Sequence, residues 1–499
     1  MVRRHEVQLS ISHLVLYWVP RAAQQSGAGA PGTVVVPEPE SLMDPVLRGI
    51  DVLLEDEALI DQVLSALRRR FPQSARRGRR GTTAVVALRM LALKHLRQWS
   101  YAELEREVNG SLVYRRFCRI DGGKVPDAKT MVRLGQLLDA AVLRELFDRI
   151  VGLAIEKKVT AGRRMRIDTT VVETNIHYPA DSGLCEDVVR VLRRGLERLV
   201  GAGVKLAFRL RSVKRSMSRR MREIGRALRI RDKEARQKAL AKPYRGVLRI
   251  AGRLVRQAER ASKSARKQMR RLNEEARGAV AVLLAEIEKM IPRARQVLRQ
   301  TRARIKHGVT DSKGKLVSIF EPHSQILRRG KLHKPTEFGM MARVQEAEGG
   351  IVTDVGLVPD KADAPLLVPA VERHVRLFGR AVPWAPTSLR SVATGTHRTA
   401  ATDRGFYSGE GERKIRELGV RRAVIPKPGH RTDKRIEYER QRWFRRGRAW
   451  RVGGEARISR LKHCFGMVRS RYRGEAGMNR TVFWAAIANN LTAMAATIR

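Results

Sequence analysis

Cysteine is scarce in these 499 residues: Cys118, Cys185 and Cys464 stand far apart. No CxxC or Cys/His spacing joins them, which excludes a disulfide framework and a zinc site as organising devices. Long apolar runs are missing as well. None approaches the roughly 20 residues that a membrane span needs. The stretch from Leu9 to Val19 follows basic residues as a secretion signal would, but Ser10, Ser12 and His13 interrupt it and no small-residue cleavage site follows closely. A soluble chain in a reducing cytoplasm is expected. Acidic residues are few against basic ones, 50 Asp and Glu facing 102 Lys and Arg, for a formal charge of +52. Such an excess repels itself unless it meets a polyanion, so nucleic acid is the implied partner. Arg exceeds Lys, and genomic base composition can enrich Arg by itself, so the charge permits this partner without proving it.

What remains is ample for folding. An apolar content of 43% in a chain of this length supports two to four domains with at least one large core. Residues 24–40 are rich in Gly, Pro and small side chains and read as a flexible lead-in, with order beginning near Met43. From there to about residue 158 the pattern is helical, with apolar residues at three and four spacing over Val46–Leu67, Val85–Leu96 and Leu134–Ile155. Ser100 with Glu103 forms a capping box that starts a helix at Tyr101, and Asp127 caps another after Pro126. Two helices joined by so short a turn admit two readings, a helix-turn-helix that binds DNA or an ordinary bundle around its own core.

The texture changes at Met165, where Ile, Val and Thr alternate in RMRIDTTVVET as in a strand. An Arg-dense segment follows, about 186–306, with a coiled-coil-like stripe of Leu210, Val213, Met217, Met221, Ile224 and Leu228. Pro243 and Gly246 predict a break there, giving two long helices folded as a hairpin, either a solvated charged pair or a basic arm that lies on DNA or pairs protomers. Strand signals return at Leu316–Phe320, Phe338–Val344 and Ile351–Val358, the last two joined by a Glu-Gly-Gly turn. Residues 364–377 read as a helix, Arg421–Ile425 as a strand and Glu455–Phe465 as a helix. The fold class is α/β with a mixed sheet.

Three acids stand out. Asp168 is embedded in a strand, where an unpaired carboxylate is costly and a bound cation would compensate it; a solvent-facing edge Asp is the plainer reading. Asp403, in ATDRGFYS, falls where a strand opens into a loop, a place where sites collect, although an Asp before Gly is also ordinary turn chemistry. Glu455, in GEARISRLKHCFG, could equally be a first-turn Glu favoured by the helix dipole.

Taken together and in order, RIDTTVVETNIHYPADSGL, ATDRGFYS and RVGGEARISRLKHCFG resemble the three catalytic blocks of bacterial insertion-sequence transposases of the IS4 and IS5 type. LKHLRQWSYAELEREV, PDAKT, VIPKPG and the closing WAAIANNL extend the resemblance from about residue 43 to the end. It implies an RNase H-like catalytic core carrying a DDE triad, with Asp168 on the first core strand, Asp403 after the fourth and Glu455 on a late helix. The three would hold two Mg²⁺ ions, with Mn²⁺ as a substitute. In the family's Arg-x3-Glu-x6-Lys signature, Arg451, Glu455 and Lys462 fall in register, while Arg448 replaces its Tyr. Seven residues on one helix put Glu455 and Lys462 on the same face. Lys462, Arg451, Arg457 and Arg404 are the expected DNA contacts.

The resulting division is a lead-in at 1–42, a helical DNA-binding domain at 43–160, a catalytic core at 161–185 and 307–499, and a basic helical insertion at 186–306. The expected partners are double-stranded DNA, as terminal inverted repeats and target, and a second copy of the chain, in a bacterial, nucleoid-associated setting. Glu173 and Asp181 read as structural or supporting acids, His177 and Tyr178 as packing or DNA contacts, and His323 as a hydrogen-bonded strand-end residue. A silent, domesticated DNA-binding relative is the alternative. A basic RNA-associated coiled coil would leave the three blocks unexplained, and no RNA-binding aromatic motif is visible. The stretch from Val382 to Ala400, which should lead the fourth strand into Asp403, is poor in strand formers.

Overall fold

The computed structural model describes residues 38–70, 72, 81–328, 334–358, 362–380 and 399–498. The lead-in up to residue 37 and the stretch 382–398 before Asp403 lie outside them.

Among the described residues the first helices are α1 (Pro45–Leu53), α2 (Glu57–Arg70), α3 (Ala84–Leu96), α4 (Tyr101–Gly110), α5 (Leu112–Phe117), α6 (Ala128–Leu137) and α7 (Ala140–Glu156). The capping box on α4 forms as its spacing predicts, with Ser100 and Glu103 each bonding the other's backbone N–H. Asp127 caps α6 by accepting from Thr130 N. The continuous periodicities Val46–Leu67 and Leu134–Ile155 each divide into two helices. Asp56 accepts from Leu59 N and Asp139 from Val142 N, so a polar cap restarts the helix without disturbing the apolar spacing. Both faces of α3 are buried, including Arg89, which pairs with Asp51.

The basic segment forms four helices rather than the expected two: α8 (Asp181–Gly201), α9 (Lys214–Ala227), α10 (Lys233–Gln268) and α11 (Glu274–His307). Pro243 does not break it; the proline lies inside α10, and the reversal falls at 269–273 instead. Gly246 serves close packing, since a Cβ there would lie 2.0 Å from Arg220 Nε of α9. Of the predicted stripe, Met217 and Ile224 are buried on α9, whereas Leu228 is exposed. These helices build a core of their own from Leu192, Leu196, Val247, Leu254, Ala258 and Ile287.

The sheet contains β1 (Arg164–Thr174), β2 (Gln325–Arg328), β3 (Thr336–Ala347), β4 (Val352–Val358), β5 (Thr399–Ala401), β6 (Arg422–Val424) and β7 (Arg469–Ser470). Its order is β2-β3-β1-β5-β6, with β4 also on β3 and β7 on β1. Strands β2, β3, β4 and β1 pair antiparallel, while β5, β6 and β7 join parallel, so the sheet is mixed. The strand expected at Leu316–Phe320 is absent; that segment is irregular, with Gln300 of α11 bonding both backbone groups of Leu316.

The remaining helices of the described residues are α12 (Leu367–Arg380), α13 (Gly409–Glu417), α14 (Asp433–Arg440), α15 (Arg442–Cys464) and α16 (Gly474–Thr497). In α16 the WAAIANNL segment is buried on all sides between the N-terminal helices and the sheet. Trp484 stacks flat on His95 of α3, centroids 4.7 Å apart. Asn490 accepts from Val352 N and donates to Val352 O, both at 2.8 Å, so its amide serves β4 as a neighbouring strand would. The fully buried Asp354 of β4 holds Arg144 of α7 at 2.6 Å, Arg373 of α12 at 2.8 Å and also Arg343 of β3. Burial raises the Asp148 carboxyl nearby, against the opposing pull of Arg373 and Arg144.

Candidate active site

Strand β1 carries β5 only along Arg164–Arg166 and β7 only at Glu173–Thr174. Between them that edge of β1 is uncovered, and Asp168 sits in the gap, its side chain 19% exposed. Its Oδ1 accepts from Thr169 N at 2.8 Å. Because β5 ends at Ala401, the chain that leaves it delivers Asp403 to the same opening. Asp403 caps the short turn Arg404–Phe406 and is half exposed.

Helix α15 crosses this opening. The expectation that the helix begins at Glu455 is corrected: α15 runs unbroken from Arg442 to Cys464, so Glu455 lies at mid-helix and the helix-dipole reading of it falls away. The glycines have another use. A Cβ on Gly453 would stand 2.6 Å from Arg166 Nη1, so the missing side chain lets the helix pass close over β1. Arg166 is tied to Glu346 at 2.7 Å and lies over the Trp450 ring.

The three acids converge on one cation. Arg451 Nη2 is 3.1 Å from Asp168 Oδ2 and 3.9 Å from Asp403 Oδ2, while its Nη1 is 3.5 Å from Glu455 Oε1. The two Asp oxygens are therefore no more than about 7 Å apart, within reach of a site whose two ions would sit about 3.5–4 Å apart. Among the described residues no three His, Cys, Asp or Glu side chains are grouped so as to hold a metal ion. The donor set nevertheless suits a hard divalent cation, being carboxylate oxygen only. Glu455 and Asp403 are exposed at the rim, where rotation is cheap. Arg451 Nε is buried without a hydrogen-bond partner among the described residues.

The expected DNA contacts divide. Arg404 is exposed beside Asp403. Lys462 follows Glu455 by seven residues on α15 and lines a cleft with Gln98, Asn175, His463, Arg469 and Arg471. Arg457 instead turns inward, to Glu346 at 3.1 Å and Asn489 at 2.8 Å. Glu346, Asn489 and Trp450 are supporting residues that the sequence reading missed. A Glu in the apolar run of β3 was the available signal. Glu173 binds Lys334 and Arg469, and Asp181 is no loop residue; it opens α8, buried and paired with Arg304. His177 lies 3.4 Å from Asp187, Tyr178 packs edge-on against Phe338, and His323 lies 3.6 Å from Glu321.

The cleft around Lys462 lies at a seam between the N-terminal helices and α15. Gln98, held at φ 56° in the turn between α3 and α4, donates through Nε2 to His463 O at 2.8 Å, and Arg471 donates to Gln98 O at 3.2 Å. The N-terminal side of this seam is also where a known family is found. Residues 39–137, which end with α6, match the family model described as Transposase domain (DUF772). This domain supports a transposase role for the chain. No curated protein and no solved structure matches the chain. No described helix is long and apolar enough to cross a membrane.

Proposed function

We propose that the protein is a DNA transposase of the DDE type, resembling the IS4 and IS5 elements, in which an RNase H-like core cuts the ends of its element and joins them to target DNA. The observation that carries this reading is the convergence of Asp168, Asp403 and Glu455 on the single guanidinium of Arg451, from the middle of β1, the end of β5 and a helix far apart in sequence. The order of β3, β1 and β5 around the first acid supports an RNase H-like arrangement. The domains would divide at 43–160 for DNA binding, 161–185 with 307–499 for catalysis, and 186–306 for the insertion.

Asp168, Asp403 and Glu455 would hold two Mg²⁺ ions, which when bound activate a water or hydroxyl nucleophile and stabilise the leaving oxygen of a phosphodiester. Asp168 is positioned by its backbone contact to Thr169 N, Arg166 and Arg457 fix β1 against α15 through Glu346, and Lys462 supplies positive charge about two helical turns from Glu455. Arg404 faces solvent where a DNA strand would approach. Joining two element ends calls for two active sites, so a homodimer is the working assembly.

The test is cleavage of duplexes carrying the element's flanking ends, in Mg²⁺, by the native chain and by Asp168→Asn, Asp403→Asn and Glu455→Gln. Each variant is expected to lose activity about a hundredfold or more, as metal-site losses do. Undiminished cutting by all three would remove the catalytic assignment.

A further inference from the structure

Helix α10 presents a face that nothing in the proposed chemistry uses. Its 36 residues hold twelve Lys and Arg against two Glu. One side, with Val247, Ala251, Leu254, Val255 and Ala258, is buried in the core of the insertion. On the opposite side Arg245, Arg249, Arg253, Arg256, Arg260, Lys263 and Lys267 follow one another at steps of four, four, three, four, three and four. All seven are exposed, and none is ion-paired among the described residues. At 100° per residue this spacing confines them to a single narrow stripe, about 33 Å long at 1.5 Å per residue.

Like charges three and four apart repel along a helix, so an uninterrupted ladder of cations opposes its own fold. The neighbouring helix shows a different pattern. In its first half α11 mixes Glu274, Glu275, Glu286 and Glu288 with its basic residues, and Glu288 and Glu259 are paired with Arg266 and Arg295. A second copy of this chain is a poor partner for the stripe, since each carries +52. The stripe contains no aromatic residue on which unpaired bases could stack, which disfavours single strands. Its length approaches one turn of duplex DNA, roughly 34–36 Å, and duplex carries about one phosphate charge per 1.7 Å of axis.

We propose that the exposed face of α10 is a docking surface for the sugar-phosphate backbone of double-stranded DNA, independent of the carboxylate site. It contacts phosphates without reading bases.

The experiment uses the full chain, with Arg249, Arg253, Arg256 and Arg260 all replaced by Gln. A control variant carries Lys289→Gln, Arg299→Gln, Arg302→Gln and Lys306→Gln on α11, which removes the same charge. Affinity for a duplex of about 40 base pairs, unrelated to any element end, is measured by fluorescence anisotropy in EDTA over a salt series. The slope of log K against log salt is expected to fall by about 3 to 4 in the α10 variant, near 0.9 for each lost phosphate contact, and by less than about 1 in the control. Circular dichroism should show the helix content of both unchanged. An unchanged slope in the α10 variant, an equal fall in both variants, or tighter binding to a single strand of equal length would overturn the proposal. Because no metal is present, this result stands or falls apart from Mg²⁺-dependent cutting, which is measured separately.

Discussion

Arg451 Nη2 lies 3.1 Å from Asp168 Oδ2, a contact between residues 283 positions apart. It joins a helix to the central strand of the sheet exactly where β5 has ended and β7 has not begun. One guanidinium thereby offsets part of the charge of three carboxylates that would otherwise repel one another.

That balance predicts competition between Arg451 and a divalent cation. Arg451→Ala leaves the acids without their counter-charge, so Mg²⁺ or Mn²⁺ should bind more tightly, by about tenfold or 1.4 kcal/mol, even as strand cutting declines. Isothermal titration calorimetry reads the change directly. Equal or weaker binding in the variant would show that the guanidinium does not compete with the metal.

Asp354 is fully buried among Arg144, Arg343 and Arg373, tying α7 and α12 to the sheet. Replacing one member of a buried charge network leaves the others uncompensated, so Asp354→Asn should cost about 3–5 kcal/mol in chemical denaturation. A loss below about 1 kcal/mol would mean that the arginines find water instead.

Lys94 gives the fold a pH dependence. Burial, reinforced by Arg471, lowers its ammonium from 10.5 to about 8. Below about pH 8 the folded and unfolded chains both carry the proton, and the cost of burying the charge is at its greatest. Between about 8 and 10.5 the unfolded chain holds a proton that the folded chain has released, so unfolding free energy rises with pH. Relative to Lys94→Met, the native chain should gain up to about 3 kcal/mol across that window. Denaturation curves of both proteins at about pH 7, below that window, and at about pH 9 and 10, within it, would check it; parallel curves would count against it.

Much of this was legible beforehand because it is local. Caps at Ser100 and Asp127 declare themselves through side chain to backbone bonds three residues long. Strand β1 shows in its alternation, and the spacing of Glu455 from Lys462 needs only a helix. What misled the reading was also local chemistry overruled by packing. Pro243 looks like a break and Glu455 like a helix start, yet α10 runs through the first and α15 through the second, with Arg166 lying where a side chain on Gly453 would stand.

The sequence alone determined the excess of positive charge, the helical opening, the alternation of strands and the presence of three acids in three separate blocks. Only the tertiary structure decided that those acids meet, that Arg451 is what they meet around, and that Arg457 turns inward to Glu346 while seven cations of α10 turn outward. The physical reason is range. Caps and periodicities act over three or four residues, whereas the position of a charge relative to other charges depends on where the sheet and its crossing helices bring distant segments.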